Sequence, residues 1–408
     1  MTTTLLNSNI VDNFLFAVKS IKQSYKPTSE LLSMMEIFKQ MVNHCIRIGL
    51  ENNTSTLKKL SMLSYHKLEE YPIQSKYKLT AISQACGRLS QMKRSIKKGM
   101  KPKSPYVSKP YIVSCYGFKI NGMLLSFPIE NRKFVNIILN NHTVKKISEE
   151  CIEPRSFTIT PDSLSISVRK EVKEIIPDGV IGIDRNLRNV TIASKDCVIT
   201  YKTNKLLSIK ENTMHVIASF RRNDRRVKNN FYLQKRNRRS RRIQQHLHII
   251  SKDIVQRAVK SKSMIVFEDL KGIRKLYRKG NGQGNKYRRK LNSWSFYELQ
   301  RQIVYKSAWE GIPIRFVDPK RTSQLCPICG DRLQEDRFQH RKLLCINCKK
   351  SMDRDVIASL NISYKGWTRL SHPRGLPVEA MKGNVNNLIP LILRVDGSQL
   401  KIGNHPKI

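Results

Sequence analysis

The chain has 408 residues, with 76 Lys and Arg against 31 Asp and Glu and a formal net charge of +45. Such a field repels itself unless a polyanion neutralises it, which excludes most partner classes and leaves nucleic acid or an acidic membrane surface. Membrane is the weaker of the two, because no apolar run is long enough to span a bilayer; the length exceeds what one ordinary core serves, so two or more domains are expected.

In chain order, FLFAVKSI (residues 14–21) predicts a first strand. Residues 28–100 predict helices: Leu32, Met35, Phe38, Met41, Val42 and Cys45 recur at three- and four-residue spacings, with Pro27 and Ser29 as the start signal. A second stretch puts Leu79, Ile82 and Leu89 on one stripe beside a solvated basic face. Gly99, Pro102 and Pro105 break this rhythm. PYIVSCYGFKI, GMLLSFPI, RSFTIT and LSISVRKE then read as short strands, making the helices an insertion in a small β-barrel or sheet.

From Asp178, DGVIGID and NVTIAS predict a hairpin closed through RNLR. A strongly basic helical stretch over residues 221–260 leads to the apolar strand SMIVFEDL. The Gly- and Asn-rich link RKGNGQGNKYRRK reads between Gly280 and Asn285 as a mobile lid or as a disordered loop. A helix carrying Phe296, Leu299 and Ile303 follows, ended by Gly311, and IPIRFV is another strand. DVIASLNI predicts a short last helix, and no firm structure is assigned past Tyr364.

Cysteine usage divides in two. Cys45, Cys86, Cys115, Cys151 and Cys197 lie singly and read as small buried hydrophobes of a reducing compartment. The opening MTTTLLNSNIVDNFLF lacks the charged start and cleavage pattern of a signal peptide, so the expected location is the cytosol. Cys326, Cys329, Cys345 and Cys348 form CxxC-x15-CxxC, a spacing that offers four thiolates to one structural Zn²⁺. A site with four cysteine ligands has no open position to activate water, so catalysis would need another metal.

Carboxylates at the ends of elements are candidates to hold it. Asp184 closes GVIGID, Glu268 closes SMIVFE, and Asp355 opens DVIASLNI with Asp353 two residues earlier. Any one of them has an ordinary reading as a turn residue or helix N-cap. Together, at one edge of an α/β sheet, they would offer hard oxygen ligands to Mg²⁺ or Mn²⁺. Two such ions about 3.5 to 4 Å apart suit phosphodiester hydrolysis. The basic stretch supplies candidate phosphate contacts in Arg221, Arg222, Arg225, Arg226, Lys235, Arg236, Arg238, Arg239, Arg241 and Arg242, with Phe231 and Tyr232 interleaved.

GIDRNLRNVTIAS, IVFEDLKGI, WSFYELQRQIVYKSAWEGIPIRFVDPKRTSQLCPICG and CINCKKSMDRDVIASLNI resemble, in order, the motifs of transposon-encoded TnpB proteins, relatives of the type V CRISPR effectors. The resemblance covers roughly residues 178–364. It implies an α/β, RNase H-like RuvC nuclease domain with a zinc-ribbon insertion, preceded by a wedge-type β-barrel carrying a helical recognition insert. The boundaries it suggests are 1–27 and 101–177 for the barrel, 28–100 for the insert, 178–321 and 351–364 for the nuclease, 322–350 for the zinc module and 365–408 for a tail.

The same resemblance implies guide RNA (an omega RNA from the transposon end) and double-stranded DNA as partners, with cleavage beside a short transposon-adjacent motif. It makes Asp184, Glu268 and Asp355 the catalytic, Mg²⁺-holding acids, with Asp353 as the alternative third acid. Two positions depart from the family: Asn186 stands where Gly is usual and Ile357 where Asn is usual. Asn tolerates left-handed backbone, so the turn at Asn186 is expected to survive. The zinc module is expected to be a stiff insert at the rim of the nuclease, setting basic residues such as Arg337, Arg341 and Lys342 beside the cleft. The competing readings are a cleavage-deficient guided repressor of the same fold and a DNA-strand transferase.

Overall fold

The computed structural model describes residues 14–130, 133–221, 223–228, 230–270, 273, 282, 284–292, 294–336, 339, 341–371 and 391–396. The chain divides into two compact units, residues 16–171 and residues 172 onward.

The first unit runs β1 (Phe14–Ser24), α1 (Ser29–Glu51), α2 (Leu57–Ser64), α3 (Ser75–Lys97), β2 (Ile112–Ser114), β3 (Lys119–Asn121), β4 (Leu124–Glu130), β5 (Lys133–Ile138), α4 (Asn141–Ile147), β6 (Ile152–Thr160) and β7 (Ser163–Lys173). One sheet has the order β1-β7-β6-β2 and a second the order β3-β4-β5. The three helices fall between β1 and β2 of one sheet, so they are an insertion in a β unit.

Residue chemistry explains the helix ends. Thr28, between the two residues expected to mark the start, is the N-cap of α1, its hydroxyl accepting from Leu31 N at 3.3 Å. Helix α3 stops at Gly99, whose φ of +74° lets Gly99 N reach Ile96 O and Met100 N reach Ser95 O. The buried stripe of α1 is Leu31, Met34, Met35, Phe38, Met41, Val42 and Cys45. Leu32 and Leu79, expected on the core stripes, are 38% and 46% exposed, because a 3.6-residue period turns them off the faces where α1 and α3 meet. Cys115 and Cys151 are likewise exposed and not core.

The second unit contains β8 (Gly179–Arg185), β9 (Asn189–Ala193), β10 (Cys197–Lys202), α5 (Asn204–Ala218), α6 (Arg225–Lys228), α7 (Phe231–Lys260), β11 (Ser263–Glu268), α8 (Asn285–Asn292), α9 (Phe296–Trp309), β12 (Ile314–Val317), β13 (Gln334–Glu335), β14 (Lys342–Cys345), β15 (Lys350–Asp353), α10 (Arg354–Ser371) and β16 (Leu391–Asp396). Its main sheet has the order β12-β11-β8-β9-β10-β16. Strands β8, β9 and β10 are antiparallel neighbours, and β11 runs parallel to β8 and to β12.

Each face of this sheet is covered. Ile181 and Ile183 of β8 and Ile265 and Phe267 of β11 pack with Leu247 and Ile254 of α7 and Leu299 and Ile303 of α9. Val180, Met264 and Val266 pack with Ile362 of α10 on the other side. Helix α10 rides so low over β8 that a Cβ at Gly182 would collide with the backbone of Ser359 and Ser363. Gly311, at φ +72°, closes α9 as expected.

Three sequence expectations change here. The basic stretch is not one helix: Arg221 lies outside, α6 is a single turn, and Asn230 at φ +60° separates it from α7. The link after residue 278 ends in α8, while Gly280, Asn281 and Gln283 lie outside the described residues. The region past Tyr364 is not structureless, since α10 continues to Ser371 and β16 pairs in parallel with β10, Cys197 opposite Leu391.

Candidate active site

Strand alternation decides which side chains meet. Successive residues of a strand point to opposite faces. With Ile181 and Ile183 facing α7 and α9, Val180, Gly182 and Asp184 face α10. Likewise Ile265 and Phe267 face α7 and α9, so Met264, Val266 and Glu268 face α10. The parallel register pairs Phe267 with Ile183, which sets the next residues, Glu268 and Asp184, abreast at the carboxyl edge of both strands. Asp355 comes from the first turn of α10, on that same side.

The DRD register is resolved by capping. Asp353 ends β15, and its Oδ1 accepts from Asp355 N at 2.8 Å, so Asp353 is occupied with starting the helix. Asp355 is turned inward, where Asn189 Nδ2 donates to its Oδ2 at 2.7 Å and Arg341 Nη2 forms an ion pair with the same oxygen. Asp184 Oδ2 accepts from Asn186 Nδ2 at 2.6 Å, and Glu268 Oε1 from Thr322 Oγ1 at 2.5 Å.

Burial and mutual repulsion mark this as a place prepared for positive charge. Burial, then the facing Glu268 and Asp355, push Asp184 up to about 8. Burial also raises Glu268. The neighbouring Arg185 points to the opposite face, bonding Gln300 Oε1 at 2.5 Å and Glu268 O at 2.8 Å, with its guanidinium 4.9 Å from the Phe267 ring. It braces β8 to β11 and α9 from that face, and its charge offsets part of the rise at Asp184 and Glu268.

The four cysteines come together. Their sulfurs lie within 4.8 Å of one another, with Cys329 to Cys345 at 3.4 Å and Cys326 to Cys348 at 4.0 Å. A tetrahedral Zn²⁺ with bonds of about 2.3 Å needs sulfurs roughly 3.8 Å apart, so the group fits zinc. Among the described residues this quartet is the tight group of potential metal ligands; the three carboxyl groups face one another more loosely.

The module is also wired to the acids. Cys345 ends β14 and pairs with Lys350 of β15; three residue pairs further along, Lys342 opposes Asp353. Arg341, just before β14, accepts Arg354 N on its carbonyl at 2.8 Å while its side chain holds Asp355. Asn361 Nδ2 ties α10 to Thr322 O at 2.7 Å and Leu325 O at 2.9 Å, immediately ahead of Cys326.

Of the proposed phosphate contacts that the structure describes, all are exposed except Lys235 and Arg239, which are half-buried. In α7, a 30-residue helix about 45 Å long, burial begins only at Ile243, so Lys235, Arg236, Arg238, Arg239, Arg241 and Arg242 project from turns that carry no core residue. Arg221, Arg225 and Arg226 are exposed before it, Arg226 stacked 4.3 Å from the Phe220 ring, which meets Phe231 at 4.6 Å. Arg222 and Arg337 lie outside the described residues. Ile357 is fully buried.

Asn186, Asn189, Thr322 and Asn361 were not singled out in the sequence for their side chains. Asn186 is not in left-handed backbone, so the reason expected for tolerating Asn there does not apply. Its amide, bonded to Asp184, is what distinguishes it from Gly.

A profile of the Cas12f1-like TNB domain matches residues 296–362, which span α9, the cysteine module and the start of α10. A TnpB-like protein of Methanocaldococcus jannaschii is 33% identical over 263 residues, covering 61% of this chain and 92% of that protein. The chain belongs to the TnpB family. A second relative of this TnpB protein is InsQ of Escherichia coli K12, provisionally named an RNA-guided DNA endonuclease, 26% identical over 51% of this chain and about half (54%) of InsQ. The CRISPR-associated endodeoxyribonuclease Cas12f1 of Sulfoacidibacillus thermotolerans is 32% identical over 28% of this chain and 25% of its own. The cryo-EM structure of a Cas12f1–sgRNA–target DNA complex shares the fold with a TM-score of 0.54 at 16% identity, over 81% of this chain and 80% of that one.

Proposed function

We propose that this TnpB protein is an RNA-guided DNA endonuclease that hydrolyses phosphodiester bonds at Asp184, Glu268 and Asp355, beside a short transposon-adjacent motif. The observation that carries this reading is the meeting of three acids from β8, β11 and α10 on one face, close enough for Glu268 and Asp355 to raise Asp184. The strand order supports an RNase H-like, RuvC-type sheet: an antiparallel β8-β9-β10 followed by β11 and β12 added in parallel on the other side of β8. The names borne by the relatives, RNA-guided DNA endonuclease and endodeoxyribonuclease, support the reaction and the partners. A net charge of +45 suits a protein that holds a guide RNA and a DNA duplex together.

Two divalent cations, Mg²⁺ or Mn²⁺, would supply water activation and stabilise the leaving oxygen. The chain's own part is to hold them: Asp184 and Glu268 stand on rigid neighbouring strands, and Asp355 is held by Asn189 and Arg341. The Arg341 side chain is 62% exposed, so its guanidinium can also approach a phosphate. The projecting turns of α7 position the polymer by its phosphates and read no bases. Zn²⁺ held by Cys326, Cys329, Cys345 and Cys348 would keep β14 and β15 in the register that aims Arg341. We assign the first unit to a wedge-type barrel with residues 28–100 as recognition insert, and β16 to the nuclease sheet.

Asp184→Ala should abolish cleavage of target DNA while co-purifying RNA remains bound. Sequencing that RNA should give a discrete species, and products should carry free 5′-phosphate and 3′-hydroxyl ends. An Asp184→Ala protein that still cuts would sink the site; joined strands would point to transfer instead.

A further inference from the structure

We propose that Asn186 and Asn189, the two ends of the β8–β9 turn, are positioning residues that dictate which oxygen of Asp184 and of Asp355 is offered to a divalent cation. This rests on the reading of those acids as cation ligands. A carboxylate that binds a cation must not spin, and a donor held on one oxygen leaves the other as the ligand. Asn186 Nδ2 takes Oδ2 of Asp184 and Asn189 Nδ2 takes Oδ2 of Asp355. Thr322 does the same for Oε1 of Glu268. Each of the three acids thus keeps one oxygen for a further partner.

The turn is built to hold both amides still. Arg185 pairs with Val190, Asn186 N reaches Asn189 O at 2.9 Å, and Thr203 closes the loop from below through Arg188 O at 2.7 Å and Leu187 O at 3.2 Å. One rigid loop therefore orients two acids that come from opposite ends of the unit's sequence. Asn186 owes its place to no positive φ.

Carboxamides suit the task because they are neutral: the Asn186 amide orients Asp184 without cancelling the charge that a cation needs, while Asn189 shares Oδ2 of Asp355 with the Arg341 guanidinium and leaves Oδ1 as the free oxygen. The Asn189 amide also has an unfinished side. With Nδ2 committed to Asp355, Oδ1 is shut off from solvent and has no hydrogen-bond partner. Leaving such an acceptor unpaired costs about 1–3 kcal/mol. A water carried by a cation held at these acids would be a donor of the right chemistry to satisfy it.

The test is Mn²⁺ binding to the RNA-bound full-length protein, followed by the electron paramagnetic resonance signal of free Mn²⁺. The proteins compared are the parent, Asn186→Gly, Asn189→Ala and Asp184→Ala. Asn186→Gly and Asn189→Ala should each weaken Mn²⁺ binding by about 10- to 100-fold, with melting in EDTA close to the parent's and cleavage recovered at high Mn²⁺. Asn186→Gly changes a half-buried turn side chain to the family's usual residue, so it keeps the test valid should Asn189→Ala fold poorly. A parent-like affinity in either variant, with binding lost in Asp184→Ala, overturns the positioning role and leaves the catalytic reading standing. Parent-like binding in Asp184→Ala instead removes the cation site itself.

Discussion

The Asp353 carboxylate accepts the backbone N–H of Asp355 at 2.8 Å, so two acids separated by one arginine do different work. Asp353 starts α10, and Asp355 faces Asp184. Replacing the cap, Asp353→Ala, should cost about 1 kcal/mol of stability and leave most of the cleavage rate. Asp355→Ala should leave cleavage undetectable with a smaller change in urea unfolding. Equal losses of activity in the two variants would contradict this division.

The cysteine module delivers Arg341 to Asp355 through the β14–β15 pairing, in which Cys345 opposes Lys350 and Lys342 opposes Asp353. Cys345→Ser should release the zinc, make residues 326–350 sensitive to protease and reduce cleavage at least about tenfold, the size expected when a metal-site support is lost. The β8–β11 core should still unfold cooperatively, because its packing does not include the module. Full cleavage by a zinc-free protein would refute the coupling.

Asp184 gives a pH signature. Its pKa is raised to about 8 by burial and by Glu268 and Asp355, so the folded protein without divalent cations retains a proton that the unfolded chain has already lost. Stability from this group is therefore greatest at the acid end of the window and falls as pH climbs from the ordinary carboxylate range to about 8, above which it is level. In EDTA, the melting temperature of the parent relative to Asp184→Asn should decline from about pH 6 to about pH 8, and Mg²⁺ should flatten that difference. Parallel melting curves for the two proteins would remove the repulsion from the account.

Local signals were legible wherever one residue type has one use. Gly99 and Gly311 end helices because only glycine enters left-handed backbone freely. The two CxxC pairs, fifteen residues apart, already implied a shared ion. The hairpin from Asp178 and the strands that carry Asp184 and Glu268 near their carboxyl ends followed from apolar runs bounded by turn residues. The elements that went unread, β5, β10, β13, β14, β15, β16, α4, α5 and α8, are short or lack a clean period. Strand β16 in particular exists by pairing with β10, nearly 200 residues earlier, a partner no local pattern reveals.

By itself the sequence determined which residue types are present in which order: three acids at element ends, four cysteines, an arginine-rich helix and an overwhelming positive charge. Tertiary structure alone decided that Asp353 is spent on capping α10, that Asn186 contributes an amide and not a backbone angle, and that Asn189 and Arg341 close on Asp355. The reason is that a side chain's direction depends on the face its strand turns to the core. That face is set by register with distant strands and by α10 lying against Gly182.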